Sequence, residues 1–122
     1  MNNGEFASML RLLADGWTDR EYTLVASHFT DDVFYCDPRN YTFHDRASLL
    51  EFFKDDDGRP QSCEFHDSIF DEDRQIGVAE FTYVGTYTYH GTVWIQLDGD
   101  KIASWREYQH ISDRSYSEFW QK

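Results

Sequence analysis

The chain has 122 residues, enough for one domain over residues 1–122 that buries a core without help from disulfides or metals. Its 23 acidic and 11 basic residues leave a formal charge of −12, which argues against nucleic acid and anionic membrane surfaces as partners, since both call for basic patches. No run approaches the roughly 18 apolar residues of a membrane span, and Met1-Asn2-Asn3-Gly4-Glu5 lacks the basic and apolar stretches of a secretory leader, so a cytoplasmic location is expected.

Phe6, Met9, Leu10, Leu13 and Trp17 recur at helical spacing and predict an amphipathic helix over about residues 5–15, with Gly16 as its stop. Thr18-Asp19-Arg20-Glu21 reads as a capping box for a second helix that carries Tyr22, Val25, Ala26 and Phe29 on one face. Val33-Phe34-Tyr35-Cys36 reads as a short strand ending at Asp37-Pro38, because proline removes a backbone donor and pushes the residue before it into extended geometry. Asp45 is placed to cap a third helix through about Phe53, with Ala47, Leu50 and Phe53 inward.

Lys54-Asp55-Asp56-Asp57-Gly58-Arg59-Pro60 is a loop by composition, and beyond it the period changes to two. Cys63, Phe65 and Ile69 alternate with Glu64, His66 and Ser68, and Asp71-Glu72-Asp73-Arg74 reads as a turn. Val78–Tyr89 is expected as one long β segment with Ala79, Phe81, Tyr83, Tyr87 and Tyr89 on one face. Thr92–Leu97 and Lys101–His110 follow as strands joined by the hairpin turn Asp98-Gly99-Asp100, then a short helix near Asp113–Trp120 with Ser112 as cap. Helices first and antiparallel strands afterwards give an α+β class. Cys36 and Cys63 form no CxxC pair and read as small buried hydrophobes in a reducing compartment.

Taken in order, the helix pair leading into Phe29-Thr30-Asp31-Asp32-Val33 and Tyr35-Cys36-Asp37-Pro38, the Asp45–Phe53 helix, and the ending Gly91-Thr92-Val93-Trp94-Ile95, Asp98-Gly99-Asp100-Lys101-Ile102 and Trp105-Arg106-Glu107-Tyr108 resemble the nuclear transport factor 2-like superfamily. Within it, the chain is similar to the SnoaL-like branch of polyketide cyclase and ketosteroid isomerase-like domains. The resemblance implies a cone: a strongly curved mixed sheet wraps the N-terminal helices and leaves an internal pocket. It also implies a homodimer through the outer sheet face. Members include isomerases, cyclases, epoxide hydrolases and dehydratases, usually without a cofactor; other members only bind ligands or partner proteins.

Through its aspartate-proline pair, Asp37 matches the general base of the ketosteroid isomerases. A carboxylate in an apolar cavity is poorly solvated, so its basicity is expected to rise; the alternative is a turn cap beside Pro38. The isomerase's two oxyanion donors have no counterpart, since Leu10 and Leu13 occupy the pocket-facing first helix and Val93 stands on the late strand. Ala103, Trp105, Glu107 and Gln109 share one face of the last strand, which makes Glu107 a second catalytic candidate, or a carboxylate paired with an arginine or lying at a solvated pocket mouth.

Phe81, Tyr83, Tyr87 and Tyr89, with Trp17, Phe53 and Trp105, either line a ligand cavity or form plain core; Leu13, Tyr35 and Val93 join them as candidate ligand contacts. His44 and His90 are proton shuttles or surface residues. The histidines lack HxH, HxxxH and HExxH spacing, so no metal site is expected; no GxGxxG, P-loop or nucleophile-elbow motif appears, and the resemblance implies no cofactor. The reading is a domain that binds a hydrophobic small molecule, with Asp37 driving proton transfer, or else a non-catalytic ligand-binding or protein-interaction module.

Overall fold

A computed structural model describes residues 1–119 of the chain. Helices α1 (Asn3–Thr18) and α2 (Tyr22–Ala26) lead into strands β1 (Phe29–Asp37) and β2 (Tyr41–Phe43), then α3 (Arg46–Lys54). Strands β3 (Ser62–Asp71), β4 (Ile76–Val84), β5 (Thr88–Asp98) and β6 (Lys101–Ile111) complete the sheet, and a short α4 (Tyr116–Phe119) follows. The predicted Asp113–Trp120 helix begins later than expected, and its Trp120 end lies outside the described residues.

The six strands run β2-β1-β6-β5-β4-β3 in one curved, unclosed mixed sheet. The β1·β6 pairing is parallel and the others are antiparallel. The α+β cone expected from the sequence is the architecture observed. α1 packs on β3 and α3 on β1, so the helices fill the concave side. Phe6, Leu13, Phe29, Val33, Leu49, Val93, Ile95 and Ile102 are wholly buried there, each stabilising the fold by roughly 2 kcal/mol. No helix among the described residues is long and apolar enough to cross a membrane.

Several boundaries differ from expectation for physical reasons. α1 starts at a capping box formed by Asn2 and Glu5, and it runs through Gly16 rather than stopping there. Gly16 is a point of close approach: a Cβ at this position would lie 2.6 Å from Val25 Cγ2. Thr18 caps nothing; its hydroxyl donates to Ala14 O at 2.8 Å and accepts from Cys63 N at 2.9 Å, tying α1 to β3. Glu21, at the N-cap of α2, makes no side-chain cap bond. Phe29 belongs to β1 instead of α2, and the expected Val78–Tyr89 strand is broken into β4 and β5 at a turn closed by Gly85 N donating to Tyr87 O. Asp45 does cap α3, accepting from Ser48 N at 2.7 Å.

Candidate active site

β1 and β6 enter the site side by side. Their register pairs Tyr35 with Trp105 and Cys36 with Arg106, which carries Asp37 to the level of Glu107. Alternation along β6 puts Trp105, Glu107 and Gln109 on the concave face, as the sequence pattern required. Asp37 is 4% exposed and Glu107 6%, so neither carboxylate faces bulk solvent.

Their surroundings differ. Glu107 Oε1 accepts from Trp105 Nε1 at 3.1 Å, and the hydroxyls of Tyr35 and Tyr41 neighbour the carboxylate as further donors. Burial dominates over these three donors and, with the charge of Asp37 adding to it, pushes the Glu107 pKa up to about 7. Neither arginine pairing nor a solvated mouth describes it. The same burial, together with the Glu107 charge, raises both tyrosines well above their ordinary range, so both remain proton donors. Cys63, also raised by burial, goes up to about 12 and is an unreactive thiol at neutral pH.

Asp37 ends β1 in a turn. Its Oδ1 accepts from Arg39 N at 2.9 Å; its Oδ2 accepts from Asn40 Nδ2 at 2.8 Å and from Gln109 Nε2 at 3.0 Å. Desolvation is the largest single influence and acts upward. The hydrogen bonds from Asn40, Gln109 and the turn amides together outweigh it and hold the carboxyl below its usual value. The expected rise in Asp37 basicity is therefore corrected: its donors stabilise the anion, as in the turn-cap alternative.

Of the candidate ligand contacts, Tyr35, Trp105 and Val93 adjoin Glu107. The Tyr35 ring stacks on Trp105 at 5.6 Å, Trp17 meets Trp105 edge-on at 5.6 Å, and Phe53 meets both Trp17 and Tyr35 edge-on. Val93 pairs with Glu107 across β5 and β6 and is buried, as is Leu13. Phe81 lies farther along the wall against Phe65, and Tyr83 donates to Gln61 Oε1 at 2.7 Å. Tyr87 is exposed and takes no part in the wall. The rings pack on one another beside Glu107. Two surface clefts, one around the start of α1 and Lys101 and the other along α2, are lined by none of these residues.

The histidines stand elsewhere. His44 packs against Phe34. His90 is buried on the opposite sheet face from Val93, between Thr82 Oγ1 at 2.9 Å and Arg114 O at 2.7 Å, so it is not a surface residue. No cluster of metal-ligating side chains occurs among the described residues.

No protein-family model matches the chain, and no curated protein is similar to it in sequence. Solved structures are similar over most of its length. An NTF-2 like protein of unknown function from Burkholderia xenovorans LB400 aligns with a TM-score of 0.76 at 14% identity, covering 100% of this chain and 98% of that one. An LEH-like epoxide hydrolase from M. tuberculosis aligns at 0.74 with 13% identity, covering 88% and 84%. A protein with a ketosteroid isomerase-like fold from Catenulispora acidiphila DSM 44928, in complex with trimethylamine, aligns at 0.71 with 15% identity, covering 82% and 83%. The chain has the nuclear transport factor 2-like fold.

In this NTF2-like fold the concave-face position of Glu107 was readable from strand alternation, but two of its neighbours were not. Tyr41 sits on β2, a three-residue strand too short to leave a periodic signal. Gln109 was placed on the correct face, yet an uncharged amide gives no sign that it will bridge Asp37 and Tyr41. Gln61 was also missed. Its Nε2 donates to Trp17 O and to the Tyr22 hydroxyl while its Oε1 accepts from Tyr83, so it joins the loop before β3 to α1, α2 and β4.

Proposed function

We propose that this single-domain protein binds a hydrophobic small molecule inside the NTF2-like cone, and that Glu107, rather than Asp37, carries a cofactor-independent proton transfer of isomerase, cyclase or dehydratase type. The observation that carries this reading is a buried carboxyl group with a pKa of about 7 among three hydrogen-bond donors. A group that titrates near the working pH serves equally as proton acceptor and donor, whereas Asp37, held below its ordinary value, is a weak base.

In the proposed step, ionised Glu107 takes a proton from a carbon made acidic by a neighbouring carbonyl. The C–H bond breaks, an O–H bond forms on the carboxyl, and the electron pair moves to the carbonyl oxygen. The Tyr35 hydroxyl, released from the carboxylate, then stabilises that oxygen. Return of the proton from Glu107 to another carbon completes an isomerisation and needs no redox partner. The rings of Trp17, Phe53 and Trp105 supply an apolar wall for the substrate. Trimethylamine bound to one protein of this fold is consistent with small-molecule binding.

The second reading, a ligand-binding or interaction module without catalysis, is favoured by the mutual packing of the rings beside Glu107. Under either reading we expect a homodimer through the convex sheet face, where Trp94 and Tyr108 are exposed, and a cytoplasmic location suited to two free thiols. Deuterium exchange into a panel of hydrophobic carbonyl compounds in D2O tests the catalytic reading, with carbon-detected NMR of Glu107 run beside it. Exchange that is lost in Glu107→Gln supports it; a Glu107 carboxyl that titrates in the ordinary carboxylate range overturns it.

A further inference from the structure

The bonds around Gln109 have a direction. Gln109 Nε2 lies 3.0 Å from Asp37 Oδ2 and 3.3 Å from the Tyr41 hydroxyl oxygen. An ionised carboxylate has no hydrogen to give, so the group of Gln109 that faces Asp37 must be its NH2 rather than its carbonyl. That nitrogen has two hydrogens, one for Asp37 and one for Tyr41. Tyr41 oxygen is thereby an acceptor from Gln109, and its single hydrogen is left for Glu107, whose carboxylate its hydroxyl neighbours. Asp37 itself is oriented by Arg39 N and Asn40 Nδ2, both on the turn that connects β1 to β2.

We propose that Asp37 is a positioning residue: through Gln109 it fixes the polarity of the Tyr41 hydroxyl, so that Tyr41 always donates to Glu107. The proposal rests on the reading of Glu107 as the proton-transfer centre. The charged and titratable groups that face Glu107 are Tyr35 and Asp37 from β1, Tyr41 from β2 and Cys63 from β3, with Trp105 from its own strand; from the helices, the uncharged rings of Trp17 and Phe53 pack on Trp105 and Tyr35. Asp37 therefore acts on Glu107 in two ways, by its charge and by the relay, and a single substitution would mix them.

A double-substitution cycle separates the two, read as the Glu107 titration midpoint by carbon-detected NMR. In the native background, Tyr41→Phe removes a donor to the ionised form and should raise the proton affinity of Glu107 about tenfold. Asp37→Asn removes the charge and turns one acceptor oxygen into NH2; the side-chain amide signals of the substituted residue and of Gln109 identify the molecules in which that NH2 faces Gln109, where the Gln109 amide turns over and its carbonyl accepts from Tyr41. In that background Tyr41→Phe should leave the Glu107 midpoint unchanged. An equal effect of Tyr41→Phe in both backgrounds overturns the relay while leaving Glu107 as the centre. If native Glu107 titrates in the ordinary carboxylate range, the centre fails and the relay falls with it. Side-chain amide exchange of Gln109 in the unsubstituted protein provides a readout that does not depend on Asp37→Asn folding: slowed exchange of both Nε2 hydrogens is expected, and exchange at the rate of a free amide overturns the relay.

Discussion

Asp37 and Glu107 sit on neighbouring parallel strands, both almost completely buried, and their protonation is driven in opposite directions. Asp37 terminates its strand, so a turn wraps round it and supplies main-chain and amide donors. Glu107 lies mid-strand, where its own backbone is committed to the ladder with β5 and only side chains can reach the carboxylate. Similar surface exposure thus goes with an anion at Asp37, whose donors outweigh a shallower burial, and with a group poised near neutrality at the more deeply placed Glu107. Low surface exposure alone does not make a carboxylate basic; the depth of burial and the donors that reach the group decide it together.

The largest effect that could break this contrast is on turnover. If proton transfer runs through Glu107, Glu107→Gln should lower the rate of carbon-proton exchange by about 10³-fold and Asp37→Asn by about tenfold. The reverse ranking in a D2O exchange assay would return the role of base to Asp37.

The next test is the pH dependence of stability, where the two residues have opposite signs. The folded state holds the Glu107 proton up to about pH 7, whereas the unfolded chain releases it near the ordinary value of 4.5. Stability from this group is full below the unfolded value and is lost as pH rises through the folded one, a fall of roughly 3 kcal/mol. Asp37 is depressed in the folded state, so its contribution is present above its unfolded value of 3.8 and is lost as pH falls below it. Urea titrations from pH 3 to pH 8 should give a maximum between the two, and Glu107→Gln should flatten the high-pH side only.

Smaller effects sharpen the picture. Asp37→Ala leaves the Arg39 amide and the Asn40 and Gln109 side chains without an acceptor and should cost about 2 kcal/mol in chemical denaturation. Asp45→Ala, at an exposed helix cap, should cost less. Similar losses at the two positions would mean that Asp37 does no more than cap its turn.

Much of this was legible in the chain. Period-two patterning found the later strands, and the aspartate-proline pair marked the end of β1, because both signals are local. The Thr18 box failed because Thr18 found a better partner in Cys63, 45 residues away, and Phe29 left its expected helix to enter the sheet. The site suffered more than the fold. Glu107 was named, but its basicity depends on Tyr41 and Gln109, which come together only through strand pairings that no short stretch of sequence encodes.

The parallel pairing of β1 with β6 carries a consequence for how the centre comes into being. Asp37 and Gln109 are 72 positions apart, and within the sheet β1 has only β2 as a neighbour until the final strand docks. Closing so long a loop is entropically slow, so this contact is expected among the last to form as the chain matures. A nascent chain that stops short of residue 101 can hold the hairpin of β1 and β2, and with it the bonded turn at Asp37, yet it has no acid centre at all. Whatever chemistry the molecule performs is thereby withheld until its last strand is in place.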